Sequence, residues 1–571
     1  MAQLRRLEQQ FADDLVVIGV HSAKFPSESQ TANIRQAVMR AGIEHPVVND
    51  TGMRIWSDYA VRAWPTLVLI DPTGRIVGEL SGEIQAEELA GEIQTTIEKH
   101  RQALTAGPLS NLPEMDREPQ RPLEFPAKIF LAPGGNLFIA DSGHHRIIQV
   151  QLDLERAAGE IVRTFGSGQP GLLDGAAEEA QFQHPRGMAL RGNVQDGVLY
   201  VADTGNHAVR AVDLGSGLVR TVAGTGQKAH GRYELGRPTE TPLRSPWALQ
   251  VLENYLLIAM AGSHQIWVLI DEDRIGPFAG TGAEALVDGP VGQAAFNQPS
   301  DLALGMGHLF VADAEASAIR AVQMDENPHT LTLVGQGLFA FGDVDGTGDV
   351  ALLQHPNGLA LDENLLYIAD SYNHKIKVLD PVKGEVETLI GSGEPGLTDG
   401  LFASARLFEP EGVQVHHGKV YIADTNNHVI RVGDLETRQL TTLVLREMDR
   451  LRQGQPRGAV TRLPPVTLSA GAEVTLDVRL PAGYKRNPDA PARVQVGERL
   501  YAFPSVEEIT FPVETGGDLD LEVTLYYCTE DNAGLCLIDD KKVILPVTFQ
   551  PGGPARARVE YRIVSSYPPS G

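Results

Sequence analysis

The sequence predicts a multidomain protein in which an α/β domain is followed by two all-β domains. The chain has 571 residues, which is more than a single hydrophobic core usually serves. Its first hundred residues alternate helical and strand patterns, and a unit of 53 to 62 residues then recurs six times. The last part of the chain shows only the period of two that is typical of strands.

Composition and charge restrict the classes of partner. The chain is 42% hydrophobic and 6% aromatic, and its 59 Gly and 36 Pro favour short strands joined by tight turns. The net charge of −26 repels phosphate backbones and anionic lipids, so neither nucleic acid nor membrane is predicted as a partner. Residues 1–13 lack the apolar core of a signal peptide. Because the chain has only two cysteines, a reducing compartment, the cytoplasm, is predicted.

Residues 1–103 form the predicted α/β domain. The run LVVIGVHS at 15–22 is continuously apolar, as in a strand buried on both faces of a parallel sheet. Segments 66–71 and 75–82 are predicted to pair as a hairpin. Helical spacing is seen at 4–11, 31–42 and 86–100. Residues 104–124 are rich in Pro and are predicted to be a linker.

Residues 125–446 are built from a repeat. Each copy contains an apolar run, Ala-Asp, a turn, and His two residues before an aliphatic residue, and the six copies read IADSGHHRI, VADTGNHAV, IAMAGSHQI, VADAEASAI, IADSYNHKI and IADTNNHVI. An X-Pro unit precedes five of the copies, and a Gly-x-Gly unit follows a strand five times. Four strand-like runs fit within each period, so the region is predicted to be a six-bladed β-propeller.

The repeated Asp and His residues are interpreted as structural. The Asp is expected to accept backbone N–H groups at the turn, and the His four residues later is expected to bridge strands. Because a group present in every blade is more typical of the fold than of a metal site, no metal and no cofactor are predicted. Two copies differ, with Met260 in place of Asp and Ser317 in place of His. The repeated residues are Asp141, His145, Asp203, His207, His264, Asp313, Asp370, His374, Asp424 and His428.

Residues 447–571 are predicted to be a linker followed by a β-sandwich, because three segments alternate with period two. They contain both cysteines, Cys528 and Cys536. Residues 531–534 are predicted to turn the chain back, so that the cysteines can face each other across a hairpin. A redox-active pair, an inert structural disulfide and two buried free thiols are the alternatives. Two sulfurs are too few ligands for a typical zinc site.

These features together resemble a known family. The repeats resemble NHL repeats, and AWPTLVLIDPTGRIVGE at 63–79 resembles part of the thioredoxin-like domain that is fused to NHL propellers. The resemblance covers nearly the whole chain and implies a substrate-facing loop at Trp64, Pro65 and Thr66, with a cis bond before Pro65. It also implies a Cys-x-x-Cys motif upstream of Met1. The thioredoxin-like domain is therefore expected to be truncated at its N-terminus or, alternatively, degenerate.

The resemblance implies thiol–disulfide redox work on a protein client or redox partner, with the propeller as docking platform. The hairpin around Cys528 and Cys536 resembles the amino-terminal sandwich domain of periplasmic thiol–disulfide interchange reductases, which implies a candidate redox pair. Oxidoreductase activity is expected only if the upstream Cys-x-x-Cys exists. The alternative is a non-enzymatic interaction scaffold with a degenerate thioredoxin-like domain. A hydrolase or lyase in the propeller channel is less favoured, because no asymmetric carboxylate set stands out in the repeats.

Overall fold

The computed structural model describes residues 2–82, 86–104, 121–231, 234–451, 460–487, 492–497, 499–503, 508–529 and 536–563. The chain forms two compact units, residues 1–118 and residues 119–571, which are considered separately. Most of the predicted linker at 104–124, and the turn predicted at 531–534, lie outside the described residues.

The first unit is the α/β thioredoxin-like domain. Its helices are α1 (Ala2–Gln10), α2 (Thr31–Arg40), α3 (Arg54–Asp58) and α4 (Ala86–His100). Its strands are β1 (Gly19–His21), β2 (Val47–Asn49), β3 (Thr66–Ile70) and β4 (Ile76–Ser81). Strands β1 and β2 pair in parallel, and β3 and β4 form the predicted antiparallel hairpin. Leu7 of α1 and Phe11, the residue after this helix, pack with Ile93 and Ile97 of α4 to form its apolar core.

The prediction of a doubly buried strand at 15–22 was wrong. Only Gly19–His21 is a strand, and the side chains of Ile18 and Val20 are 59% and 44% exposed. Within the described residues, β1 pairs with a neighbour on one edge only, so its apolar side chains are not covered as those of a central strand would be.

The second unit begins with six sheets that form the blades of the propeller. In blades 1 to 3 the strands are β5 (Pro126–Ala132), β6 (Asn136–Asp141), β7 (Arg146–Asp153), β8 (Ala158–Phe165), β9 (Pro185–Arg191), β10 (Val198–Asp203), β11 (Ala208–Asp213), β12 (Val219–Ala223), β13 (Pro246–Leu252), β14 (Tyr255–Met260), β15 (Gln265–Ile270) and β16 (Arg274–Ala279). Each blade is a four-stranded antiparallel meander in chain order.

Blades 4 to 6 repeat this meander, and each adds a two-residue strand at its outer edge. Their strands are β17 (Gly289–Pro290), β18 (Pro299–Gly305), β19 (His308–Asp313), β20 (Ala318–Gln323), β21 (His329–Val334), β22 (Gly346–Thr347), β23 (Pro356–Asp362), β24 (Leu365–Asp370), β25 (Lys375–Asp380), β26 (Glu385–Ile390), β27 (Gly400–Leu401), β28 (Gly412–His416), β29 (Lys419–Asp424), β30 (Val429–Asp434) and β31 (Gln439–Thr442). The next strand, β32 (Val444–Arg446), pairs in parallel with β8 at the outer edge of blade 1. The chain therefore returns to the first blade after completing the last.

Apolar side chains between neighbouring blades form the propeller cores. Tyr200 of blade 2 packs with Ile258 and Trp267 of blade 3, and Ile148 of blade 1 packs with Ile430 of blade 6. The same kind of contact therefore joins the first and last blades as joins blades adjacent in sequence.

The last region is the predicted β-sandwich. One sheet contains β33 (Thr461–Arg462), β34 (Val466–Leu468), β36 (Tyr484–Arg486), β37 (Arg493–Val496), β38 (Arg499–Ala502), β40 (Gly517–Thr529) and β41 (Cys536–Phe549). The other contains β35 (Glu473–Arg479), β39 (Glu508–Pro512) and β42 (Arg556–Arg562). Their inner faces share a core that includes Leu476, Val523 and Tyr561. On the outer face of the long β40–β41 hairpin, Tyr526 and Ile538 join the apolar cluster of propeller blades 1 and 6.

Candidate functional site

The loop before β3 presents an exposed aromatic side chain. The Trp64–Pro65 peptide bond is cis, as the resemblance implied. Trp64 is 52% exposed, its ring centroid lies 4.4 Å from that of Trp56, and its Nε1 donates a hydrogen bond to the Ser22 carbonyl at 2.9 Å. Thr66 is tied to the loop, since its Oγ1 donates to the Ala63 carbonyl at 2.8 Å. The loop is therefore a fixed surface with one large side chain open to solvent.

Asp50, which the sequence analysis did not single out, binds Ser22 and Trp56, the two residues that contact Trp64. It is buried and accepts hydrogen bonds from the backbone N–H groups of Ile55 and Trp56 and from the Ser22 hydroxyl, at 2.9 to 3.0 Å. Burial opposes ionisation, but these hydrogen bonds together hold the pKa of Asp50 below its usual range. A polar residue directly after β2 was the only signal in the sequence.

Cys528 lies near the end of the longest hairpin of the sandwich. Strands β40 and β41 pair over twelve residue positions, and Cys528 is directly opposite Cys536. Cys528 is disulfide-bonded, and the chain has one other cysteine, Cys536. Cys528 is partly exposed, while its neighbour Tyr527 is buried in the sandwich core. Side chains alternate along a strand, so Cys528 shares its face with Tyr526, which packs on the propeller.

The repeat His residues connect consecutive blades. Each follows a short 3-10 turn with φ between 49° and 59°, and its Nδ1 accepts the backbone N–H of the first residue of the X-Pro unit in the next blade, at 3.1 to 3.2 Å. His428 of blade 6 accepts from Phe125 of blade 1 and so closes the ring. The donors for His145, His207, His264, His374 and His428 are His184, Ser245, Gln298, Glu409 and Phe125. These contacts support the structural interpretation of the motif, although they run between blades.

The repeat Asp residues hold buried cations inside five of the six blades. Asp141, Asp203, Asp313, Asp370 and Asp424 are fully buried, and each accepts a backbone N–H at 2.6 to 2.7 Å. Their partner cations are Arg146, Arg210, Arg320, Lys377 and Arg431. Burial raises the pKa of Asp203 and Asp313 to about 6 and that of Asp370 to about 7, although the paired cations oppose the shift.

Each of the two departures from the repeat is compensated by another contact. Ser317 Oγ accepts the His355 N–H at 3.2 Å, so the link between blades 4 and 5 is retained. In blade 3, Met260 replaces Asp, and the buried Trp267 stands seven residues later, where Arg210 stands in blade 2. Blade 3 therefore has an apolar pair in place of a buried ion pair.

The central channel contains charges that differ from blade to blade. Lys128 of blade 1 is buried, its Nζ lies 2.8 Å from Asp301 of blade 4, and it also donates to the carbonyl of Asn357. Burial lowers the pKa of Lys128, although Asp301 opposes the shift. A cavity of about 150 Å³ lies beside this pair and is lined by the inner strands of all six blades. The charge asymmetry was missed because Lys128 and Asp301 stand at a position of the X-Pro unit whose residue type varies among the blades.

A second channel pair lies on blades 2 and 6. Arg186 is 2.8 Å from Glu411, and its guanidinium stacks over Trp247 at 4.3 Å. These charges are paired with each other, and among the described residues no group of three or more His, Cys, Asp or Glu side chains is arranged to hold a metal ion. One feature of the sequence could have indicated these channel residues. Arg186, Trp247 and Glu411 each stand directly after an X-Pro, at a position whose residue type differs in every blade.

The link from His374 predicts a pH dependence. Burial lowers the pKa of His374 from 6.5 to about 4, so its Nδ1 is free to accept the Glu409 N–H at neutral pH. The unfolded chain binds this proton first as pH falls, so the contribution of His374 to the free energy of unfolding is lost between pH 6.5 and 4. We expect a total loss of about 3 kcal/mol. The difference between wild type and His374→Ser across this pH range measures it; a constant difference would contradict the prediction.

Comparison with known proteins agrees with this architecture. The thioredoxin-like family matches residues 1–76, and the NHL repeat matches residues 353–379, which include Asp370 and His374. Within the described part of the chain, no helix combines the length and apolar character needed to cross a membrane.

Three curated relatives match over most of the chain. NHL repeat-containing protein 2 from Bos taurus is 36% identical over 607 residues, covering 93% of this chain and 82% of the relative. The Homo sapiens protein of the same name is 37% identical, with 85% and 73% covered. Protein SUPPRESSOR OF QUENCHING 1, chloroplastic, from Arabidopsis thaliana is 34% identical, and the match covers all of this chain but only 58% of that protein. With its thioredoxin-like domain followed by an NHL propeller and a sandwich, the chain belongs to the family of NHL repeat-containing protein 2.

Proposed function

We propose that this chain takes part in thiol–disulfide exchange with a protein client or redox partner, with the disulfide of Cys528 as its redox centre. The observation that carries the proposal is the partly exposed Cys528, bonded at the end of a hairpin directly opposite Cys536. An exposed disulfide is accessible to an incoming thiolate, whereas a buried structural one is not. The family membership supports a redox or interaction role in general terms.

The thioredoxin-like domain and the propeller supply docking surfaces in this proposal. Residues 1–118 contain no cysteine, so this unit offers the exposed Trp64 as a contact and no thiol of its own. The propeller offers exposed apolar side chains on the loops between blades, among them Leu173, Val287 and Phe339, which are 48%, 45% and 77% exposed. Such loops on a rigid scaffold are typical protein-binding elements.

The exchange transfers two electrons. A thiolate of a dithiol partner attacks one sulfur of the disulfide, the S–S bond breaks, and the other sulfur leaves as a thiolate. The second thiolate of the partner then attacks the mixed disulfide and releases the second cysteine of this chain. The partner is oxidised to a disulfide, and Cys528 and Cys536 are reduced. Disulfides in a reducing compartment are usually transient and catalytic, so the predicted cytoplasmic location fits this role.

Reduction by thioredoxin tests the proposal. With thioredoxin, thioredoxin reductase and NADPH, we expect the folded wild-type chain to consume one NADPH per chain, because it has one disulfide to reduce. The measurement is NADPH absorbance, with free thiols counted in parallel. Cys528→Ser is the matched control and is expected to consume none. A wild-type disulfide that resists thioredoxin in the folded protein and is reduced only after denaturation would contradict the proposal.

A non-enzymatic interaction scaffold is the second candidate. It is favoured by the exposed apolar loops and by a propeller channel whose charges are already paired. The same variant separates the two candidates. If the protein is a scaffold, we expect the Cys528→Ser variant to keep its function in the cell. If the protein is a redox protein, we expect the variant to lose that function.

A further inference from the structure

Cys528 has a lysine beside it in the sheet. The short strand β36 pairs antiparallel with β40 and places Lys485 directly opposite Cys528, while β41 places Cys536 opposite Cys528 on the other side. Directly opposite residues of antiparallel strands project from the same face, with Cβ atoms about 4.5–5.5 Å apart. Cys528 is thus flanked in the sheet by Cys536 on one neighbouring strand and by Lys485 on the other. Lys485 is exposed to solvent.

The next cation along the strand is on the opposite face. Arg486 is directly opposite Tyr527, whose side chain is buried in the sandwich core. Because side chains alternate along a strand, Arg486 does not share the face of Cys528. The chain therefore contains two neighbouring cations that differ mainly in the face on which they stand.

Among the residues that the structure describes, the other charged groups on this face of the sheet lie farther away. Asp540 and Arg493 are both opposite Thr524, four residues from Cys528 along β40 and so roughly 13 Å away, and the Thr524 hydroxyl donates to Asp540 at 2.9 Å. The propeller residues packed around Tyr526 and Ile538, such as Leu123 and Leu451, are apolar. Arg121 precedes Leu123 in the chain and is itself buried; it adds positive rather than negative charge.

We propose that Lys485 is a positioning residue for the redox centre: its ammonium group stabilises Cys528 as a thiolate and so makes the Cys528 sulfur the leaving group of the exchange. This inference rests on the proposed function. An incoming thiolate attacks the Cys536 sulfur, the S–S bond breaks, and its electron pair leaves on Cys528 beside Lys485. The new S–S bond joins the incoming sulfur to Cys536. A leaving thiol that ionises more easily leaves faster, and cations near a thiol favour its ionisation.

Alkylation of Cys528 against pH tests the inference directly. In the full chain carrying Cys536→Ser, Cys528 is the only cysteine, and its rate of reaction with iodoacetamide reports the thiolate fraction. We expect Lys485→Gln to lower this rate at pH 7 by about threefold to tenfold and to move the pH midpoint upward, with the rate restored by Lys485→Arg. Arg486→Gln is the matched control and should have a clearly smaller effect. An unchanged midpoint in Lys485→Gln, or an equal shift in Arg486→Gln, would overturn the inference.

Glutathione provides a second measurement in the chain with both cysteines. Glutathione is a monothiol, so it forms a mixed disulfide that fragmentation mass spectrometry can locate after free thiols are blocked. We expect the adduct mainly on Cys536 in wild type and on both cysteines in Lys485→Gln. An adduct mainly on Cys528 in wild type would overturn the inference. Failure of thioredoxin to reduce wild type would remove the proposed function but leave the alkylation result standing, so the two failures are distinguishable.

Discussion

Replacing Arg210 by Met is expected to lower the free energy of unfolding of the propeller by about 3–5 kcal/mol, because it leaves the buried carboxylate of Asp203 and two backbone carbonyls without their cation. Arg210 is fully buried and donates to Asp203 at 3.0 Å, to Asp174 at 2.7 Å and to the carbonyls of Gln181 and Leu173 at 2.7 and 2.8 Å. The unfolding transition can be followed by calorimetry of the full chain at pH 8.

The loss should be smaller at pH 5 than at pH 8. Burial already raises the pKa of Asp203 to about 6, and removal of Arg210 raises it further, since the cation is what opposes the shift. The carboxyl of Asp203 is then protonated at pH 5 in the variant, and a buried neutral acid costs less than a buried unpaired charge. A loss that grows on acidification would contradict this explanation.

Two controls separate the buried ion pair from general effects of substitution. Arg237 and Glu240 form an exposed pair, with side chains 78% and 68% exposed, so Arg237→Ala should change stability by at most about 0.5 kcal/mol. The double variant Asp203→Met/Arg210→Met should lose less than the sum of the single variants, because it removes both charges. Blade 3, with Met260 and Trp267, already has an apolar pair there. An Arg210→Met variant within about 1 kcal/mol of wild type would contradict the prediction.

The propeller could be predicted from the sequence because its hydrogen bonds repeat with its residues. Every intact copy of the motif has an Asp equivalent to Asp203 and a His equivalent to His207. In each copy the Asp and the His each accept one backbone N–H, as these two accept those of Gln183 and Ser245. The hairpin at Pro72 to Gly74 was likewise visible from its turn residues. A contact that the same motif residues make in each copy can be inferred from the repeat before the fold is known.

Contacts that depend on closing the ring could not be predicted in this way. Lys128 and Asp301 are 173 positions apart and meet only because blades 1 and 4 face each other across the channel. The position of Lys485 beside Cys528 could not be predicted either. Strand β36 has only three residues, and no periodicity in the sequence indicates that it pairs with β40. The sequence indicated the cysteines, and only the register of the sheet shows the lysine beside them.

Removal of the His428 side chain is expected to weaken the closure of the ring, where no covalent connection joins the two blades directly. The Nδ1 of His428 accepts the Phe125 N–H at 3.1 Å, and the two rings lie 4.4 Å apart. His428→Ala leaves a buried N–H without an acceptor and removes the ring contact, so we expect a loss of about 1–3 kcal/mol in the free energy of unfolding.

His428→Ser is the matched variant for this contact, since Ser317 occupies the equivalent position between blades 4 and 5 and its hydroxyl accepts the His355 N–H at 3.2 Å. The backbone supports the comparison, because φ is 59° at His428 and 48° at Ser317, so both variants bear the same left-handed conformation. Hydrogen exchange of the Phe125 amide, followed by mass spectrometry of a peptide spanning it, should be fast in His428→Ala and slower in His428→Ser. If the link closes the ring, His428→Ala should open blades 1 and 6 before the others. Equal protection in the two variants would mean that the apolar contacts between Ile148 and Ile430 close the ring without the histidine.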